Sequence, residues 1–311
     1  MNSKKIRTQL LKLKQDNTSG ANELIDNVLE IFRNQLELIE DQNSDITKDI
    51  YKLSKEIVDS RPSMAPLINV ILYLIHNLRI ITKKDLLERL NEFEANKLRR
   101  QKGLEDSFRT FIGSKEKKEL KIMLVSYSST INKLLTINKH YPFEIFILES
   151  RPLLEGHTVA ELLSSYFKTH LIIDAAMGKF ISNIDLVLIG VDSILRNGSV
   201  INKIGTYPLA VLANAKNIDV YAVADSFKYN LRSHYNQKII IEKKPIEEIY
   251  DRELTTDLLK VHNFYFDITP QKYITGIISD LGILSIQEFL DKIKKSLPIE
   301  WFKYFLNDKG L

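Results

Sequence analysis

The chain has 311 residues, enough for two domains or one large one, with 44% hydrophobic and 27% charged side chains, as in a water-soluble globular protein. Its 44 basic and 40 acidic residues leave a formal charge of +4, and the basic runs at 99–102 and 115–118 are short and broken or flanked by acids. They read as solvated helix faces, so no direct DNA binding is expected. The absence of cysteine excludes disulfides, thiolate metal sites and a cysteine nucleophile, and fits an intracellular protein. The first 15 residues carry no signal-peptide core. The longest apolar stretch, 66–75, is interrupted by Asn69 and too short to cross a bilayer, so a cytoplasmic location without membrane association is expected.

Residues 1–115 read as a helical N-terminal domain. Ala21, Leu24, Val28, Ile31, Leu36 and Ile39 recur at helical spacing, with Thr18 or Ser19 as a candidate cap. The pattern continues over 46–58 and 66–79, interrupted at Arg61–Pro62. A long charged helix over about 83–112 carries Leu87, Leu90, Phe93 and Leu98, and Gly113–Ser114 ends it.

The pattern then changes. Apolar runs of strand length at 122–125, 144–148, 171–173, 186–189 and 220–223 alternate with helical stretches near 127–139, 157–168, 176–182 and 207–216. Such alternation implies right-handed crossovers and a parallel sheet covered on both faces. The fold class is therefore α/β, with an all-helical first domain followed by a Rossmann-like parallel-sheet domain over 116–311. A last helix, about 286–295, closes it.

Ligands of open α/β sheets bind at the C-terminal ends of the strands. Those ends fall at Ser126–Tyr127–Ser128, Glu149–Ser150–Arg151, Asp174, Asp192 and Asp225–Ser226. Arg151, Lys203 and Lys228 add positive charge, and helix N-termini on the same edge offer free N–H groups to an anion. The set suits a phosphorylated small molecule. Asp192 either moves a proton or binds a hydroxyl, or it caps the following turn. Lys203 either meets a phosphate or is a solvated lysine. Arg151 has an ion pair with Glu149 or Glu155 as its structural alternative. His157 reads as a polar residue at a helix end. The six histidines lack metal-ligand spacing, and the chain has neither a phosphate-binding glycine loop with lysine nor a nucleophile elbow. No metal or cofactor is expected.

Four blocks together resemble the regulatory (alpha, beta and delta) subunits of translation initiation factor 2B and their sugar-phosphate isomerase relatives. They are Ser60–Arg61–Pro62 with Leu67 and Asn69; residues 149–156, ESRPLLEG; Asp192 through Asn202–Lys203–Ile204–Gly205–Thr206, with Ser226–Phe227–Lys228 downstream; and residues 263–270, NFYFDITP, with Tyr273 and Ile274. The compact single chain fits an archaeal member. The resemblance implies either of two functions. One is a non-catalytic subunit that binds initiation factor 2 through its alpha subunit and self-associates, as a dimer or higher oligomer, through the α/β domain. The other is an aldose–ketose isomerase of the ribose 1,5-bisphosphate or methylthioribose 1-phosphate type.

In the isomerases a cysteine and an aspartate move protons. The aspartate matches Asp192, and substrate-binding positions match Arg61, Asn202, Lys203 and Lys228. The cysteine position falls at Ser126, and the isomerases' glycine-alanine-arginine phosphate loop appears as Gly20–Ala21–Asn22. A thiol, with pKa about 8.5, ionises far more readily than a serine hydroxyl. Both departures point to a binding protein that keeps a pocket for a sugar phosphate or nucleotide.

Overall fold

The computed structural model describes residues 4–16, 20–60, 64–115, 119–237, 239, 241–253, 256–297 and 299. Five helices come first: α1 (Lys4–Gln15), α2 (Ala21–Glu37), α3 (Thr47–Ser60), α4 (Ala65–Ile75) and α5 (Lys83–Gly113). The apolar residues spaced along α2 face inward as their period requires: Leu24, Val28, Ile31 and Leu36 are buried. The candidate caps Thr18 and Ser19 lie outside the described residues, and Gly20 occupies the N-cap of α2. Helix α5 begins with a capping box, in which the Thr82 and Asp85 side chains each accept from the other's backbone N–H. Leu98, expected on its apolar face, is instead exposed. Position 98 falls between the two apolar stretches of α5, Leu86–Phe93 and Leu104–Ile112, which pack against different cores.

The second half supplies β1 (Leu120–Leu124), α6 (Ser129–Ile137), β2 (Phe143–Leu148), α7 (Glu155–Ser164), β3 (Lys168–Ile172), α8 (Met177–Phe180), β4 (Leu186–Ile189), β5 (Ser193–Ile194), β6 (Val200–Lys203), α9 (Thr206–Ala215), β7 (Asp219–Val223), α10 (Leu231–His234), β8 (Phe266–Thr269), β9 (Gly276–Ser279), β10 (Gly282–Leu284) and α11 (Ile286–Ser296). The main sheet has seven strands in the order β10-β9-β7-β4-β1-β2-β3. All its pairings are parallel except β9 with β10. A second sheet, β5-β6-β8, is antiparallel. It was not expected from the sequence, because all four residues of β6 are buried and give no polar–apolar alternation.

Both faces of the main sheet are covered. Met123, Phe146, Val187 and Ala222 join a core that runs without interruption into Leu24, Ile68 and Phe93 of the helical half. On the other face Ile122, Ile145 and Leu188 pack with Phe108 and Phe111 of α5, Leu134 of α6 and Val159 of α7. Helix α5 therefore belongs to both cores, and its C-terminal half lies on the sheet.

Candidate functional site

Three elements end on one cleft at the C-terminal edge of the main sheet. Chain leaves β1 at Ser126, leaves β4 at Gly190–Asp192, and turns after β7 through Ser226–Lys228. The cleft is lined by Gly20, Ala21, Asn22, Ser126, Ser128, Ser129, Thr130, Gly190, Asp192, Asn202 and Lys228, among others. Its cavity volume is about 60 Å³. Drug-sized ligand pockets span roughly 300–1,000 Å³, so the cleft is small by comparison.

The first turns of α2 and α6 border the cleft. The α2 N-cap, Gly20, has no side chain to satisfy the orphan N–H groups. The α6 N-cap, Ser128, accepts from Ile131 N at 3.3 Å. A Cβ on Gly190 would stand 3.1 Å from both Cβ and Oγ of Ser128, so glycine lets the α6 N-terminus approach the end of β4. Asn22 Nδ2 reaches Thr130 Oγ1 at 3.5 Å and links the two helix starts. Two N-termini converging on one opening favour an anion.

Ser126 has φ +65°, a left-handed conformation rare for a residue with a Cβ. Its N–H donates to Ser150 Oγ at 2.7 Å, and Ser150, at φ +63°, donates from Oγ to Leu148 O at 3.0 Å. Asp174 fixes the same loop, accepting from the N–H groups of Ser150 and Arg151, both at 2.8 Å. These bonds hold Ser126 at the cleft. The Arg151 side chain is exposed and does not line the cleft, although its backbone N–H is anchored.

Asp192 is half-buried at the cleft, and among the described residues no hydrogen bond reaches its carboxylate. The capping role considered from the sequence therefore finds no bond to support it. Burial pushes the Asp192 pKa above the ordinary carboxylate value, and the positive charges of Lys228 and Lys203 oppose that shift while Glu155 adds to it. Asn202 is buried on β6 and donates from Nδ2 to Thr206 Oγ1 at 2.9 Å, which in turn donates to Lys203 O at 2.6 Å. Thr206 thereby ties the start of α9 to the strand.

Lys203, next along β6, is buried. Its ammonium pairs with Glu155 at the start of α7 and lies 4.9 Å from the centre of the Tyr265 ring and 5.9 Å from that of Phe266. Lys203 is thus neither a solvated lysine nor among the residues that line the cleft: it sits in a buried ion pair, and Glu155 serves Lys203 rather than Arg151. Glu155 Oε2 is buried without a hydrogen-bond partner among the described residues. Lys228 is half-buried, and its ammonium forms no ion pair among the described residues. The structure brings Gly20, Ala21, Ser126, Asp192, Asn202 and Lys228 together. Arg61 lies outside the described residues. Ser128 falls in the strand-end run expected at the site, whereas Glu155 was read from the sequence only as a partner of Arg151 and as part of the 149–156 block. No group of three or more metal-ligating side chains occurs among the described residues.

Residues 17–286 match the model of the initiation factor 2 subunit family, and the chain belongs to that family. A putative translation initiation factor eIF-2B subunit 2-like protein of Pyrococcus horikoshii is 30% identical over 281 residues, covering 88% of this chain and 94% of the relative. A ribose 1,5-bisphosphate isomerase of Methanocaldococcus jannaschii is also 30% identical, over 236 residues, covering 74% and 75%. The crystal structure of the Pyrococcus horikoshii translation initiation factor eIF-2B superposes with a TM-score of 0.75 at 25% identity, covering 91% of this chain and 98% of that one. The family thus contains both initiation-factor subunits and sugar-phosphate isomerases, and the chain is 30% identical to one of each. No described helix is long and apolar enough to cross a membrane.

Proposed function

We propose that this chain is a non-catalytic initiation factor 2B-like subunit whose cleft binds a sugar phosphate or a nucleotide as a regulator. Ser126 is the observation that carries this reading. It lines the cleft at the position that the resemblance matches to the isomerases' cysteine, and among the described residues no histidine lines the opening to serve as its base. A serine hydroxyl without a positioned base neither gives nor takes a proton at a useful rate near neutral pH. Asp192, Asn202, Lys228 and the two helix N-termini still offer hydrogen bonds and positive potential to a phosphorylated polyol.

In this reading the helical half presents the surface for the alpha subunit of initiation factor 2, and the α/β half mediates self-association. Calorimetry with ribose 1,5-bisphosphate and AMP, followed by product analysis of the same samples, tests the pocket. Binding without conversion is expected. Enzymatic turnover of ribose 1,5-bisphosphate that disappears in Asp192→Asn overturns the reading. Titration with the purified alpha subunit, and sedimentation of the chain alone, test the two interfaces.

One observation favours the isomerase alternative. A carboxyl free of protein hydrogen bonds, with its pKa raised by burial, suits an acid that carries a proton to a sugar. In that case Asp192 acts with Ser126 or a bound water, and both Asp192→Asn and Ser126→Ala lose turnover.

A further inference from the structure

Helix α4, APLINVILYLI, is apolar except for Asn69, which is buried at 2% exposure. An amide at such a place needs a reason, because a buried polar group left without a partner is costly. Asn69 Oδ1 is in fact buried without a hydrogen-bond partner among the described residues. Its Nδ2, however, donates to Phe227 O at 2.6 Å and to Tyr229 O at 2.8 Å. These two carbonyls flank Lys228 on either side. An amide from the helical half therefore holds the backbone of the turn that presents the cleft's lysine.

Two further contacts fix the same turn. The Arg100 guanidinium of α5 lies 3.9 Å from the centre of the Phe227 ring and 5.2 Å from that of Phe93. Asp280, in the turn between β9 and β10, accepts from Ser226 N at 2.7 Å and from Ser226 Oγ at 2.9 Å. Within the turn, Phe227 N donates to Asp225 Oδ1 at 3.0 Å and Lys228 N to Asp225 O at 3.1 Å. The backbone is thus held from α4, from α5 and from the sheet, while the Lys228 ammonium forms no ion pair among the described residues and faces the cleft. A group held this way meets an anion with little reorganisation.

We propose that Asn69 and Arg100 are positioning residues for Lys228, so that the seating of α4 and α5 on the sheet sets the strength of the cleft's cation. The inference rests on the reading of the cleft as the binding site. Because one amide binds both carbonyls, the placement of α4 bears on both sides of Lys228 together. By linkage, an anion on Lys228 also favours the seated position of α4.

The test reads Lys228 through Asp192 and needs no ligand. The groups that act on the Asp192 carboxyl are Lys228, Lys203 and Glu155. The Asp192 carboxyl resonance is titrated by NMR in the wild type, Lys228→Gln, Asn69→Leu and Arg100→Met, with Glu155→Gln as a reference for its own contribution. Lys228→Gln raises the Asp192 midpoint. Asn69→Leu, nearly isosteric and placed in an apolar helix, raises it in the same direction by less, with unchanged helix content. Arg100→Met provides a second variant with the same expectation.

An unmoved Asp192 midpoint in a folded Asn69 or Arg100 variant overturns the proposal, as does an unmoved midpoint in Lys228→Gln. Failure of both variants to fold overturns it in favour of a purely structural role. Titration of the wild type with ribose 1,5-bisphosphate and AMP stands apart. Absence of binding there removes the pocket reading and leaves the positioning result intact.

Discussion

Glu155→Gln tests whether the Lys203–Glu155 pair is an energetic part of the fold. The Lys203 side chain is 8% exposed and that of Glu155 22% exposed. Breaking a fully buried pair by removing one partner costs about 3–5 kcal/mol, whereas an exposed pair contributes about 0–1 kcal/mol. This pair sits between those limits. After the substitution the ammonium keeps the Tyr265 ring at 4.9 Å, and a cation over an aromatic face retains about 0.5–2 kcal/mol. The glutamine carbonyl can also accept from Lys203. A loss of about 2 kcal/mol is therefore expected.

Lys203→Met alone leaves the Glu155 carboxylate without its cation, and the double variant removes both charges. Urea midpoints of the four proteins close a double-mutant cycle, and a favourable coupling of about 2 kcal/mol is expected between the two positions. Because Glu155 raises the Asp192 pKa, the same substitution lowers the Asp192 midpoint. A cost below about 0.5 kcal/mol, or a cycle without coupling, refutes the argument and makes Lys203 a solvated lysine in solution.

Gly156→Ala is expected to destabilise by at least about 3 kcal/mol. The added Cβ would stand 1.9 Å from Leu148 O, 2.8 Å from Leu148 C and 2.9 Å from Glu149 Cα, all of them backbone atoms. Gly178→Ala is the control. Nothing lies within 4 Å of that position, so thermal unfolding is expected to show a gain of about 0.5–1 kcal/mol; equal effects at both sites refute the steric account. Burial, with the charge of Asp225 next, pushes the Asp280 pKa up to about 6 against the bonds from Ser226. The folded chain then holds a proton that the unfolded chain releases between about pH 4 and 6, so this contribution to stability is lost as pH rises through that window. Asp280→Asn, which can still accept from Ser226 N and donate to its Oγ, should flatten the profile by about 2 kcal/mol between pH 4.5 and 7. Urea midpoints that run parallel in the two proteins contradict this assignment.

Much of the architecture was legible in the residue order. The helical spacing of Leu24, Val28 and Ile31 and the apolar runs around Ile122, Ile145 and Val187 define amphipathic helices and doubly covered strands, because burial is periodic in each element. That the polar residues after β1, β4 and β7 gather at one edge was legible as well. Strands of a parallel sheet end together, so Ser126, Asp192 and Lys228 meet although up to 102 positions separate them.

What the sequence could not supply was the partner of each polar group. Lys203 reads from the sequence as a phosphate ligand or a solvated lysine until the β5-β6-β8 sheet buries it and α7 brings Glu155 against it across 48 positions. Asn69 reads as an interruption of an apolar helix until α4 is seated 158 positions away from Phe227 in sequence and in contact with it in space. Periodicity records how much water each face sees, a property of one element. Hydrogen-bond and ion-pair partners depend on the relative placement of several elements, and only the tertiary structure fixes that.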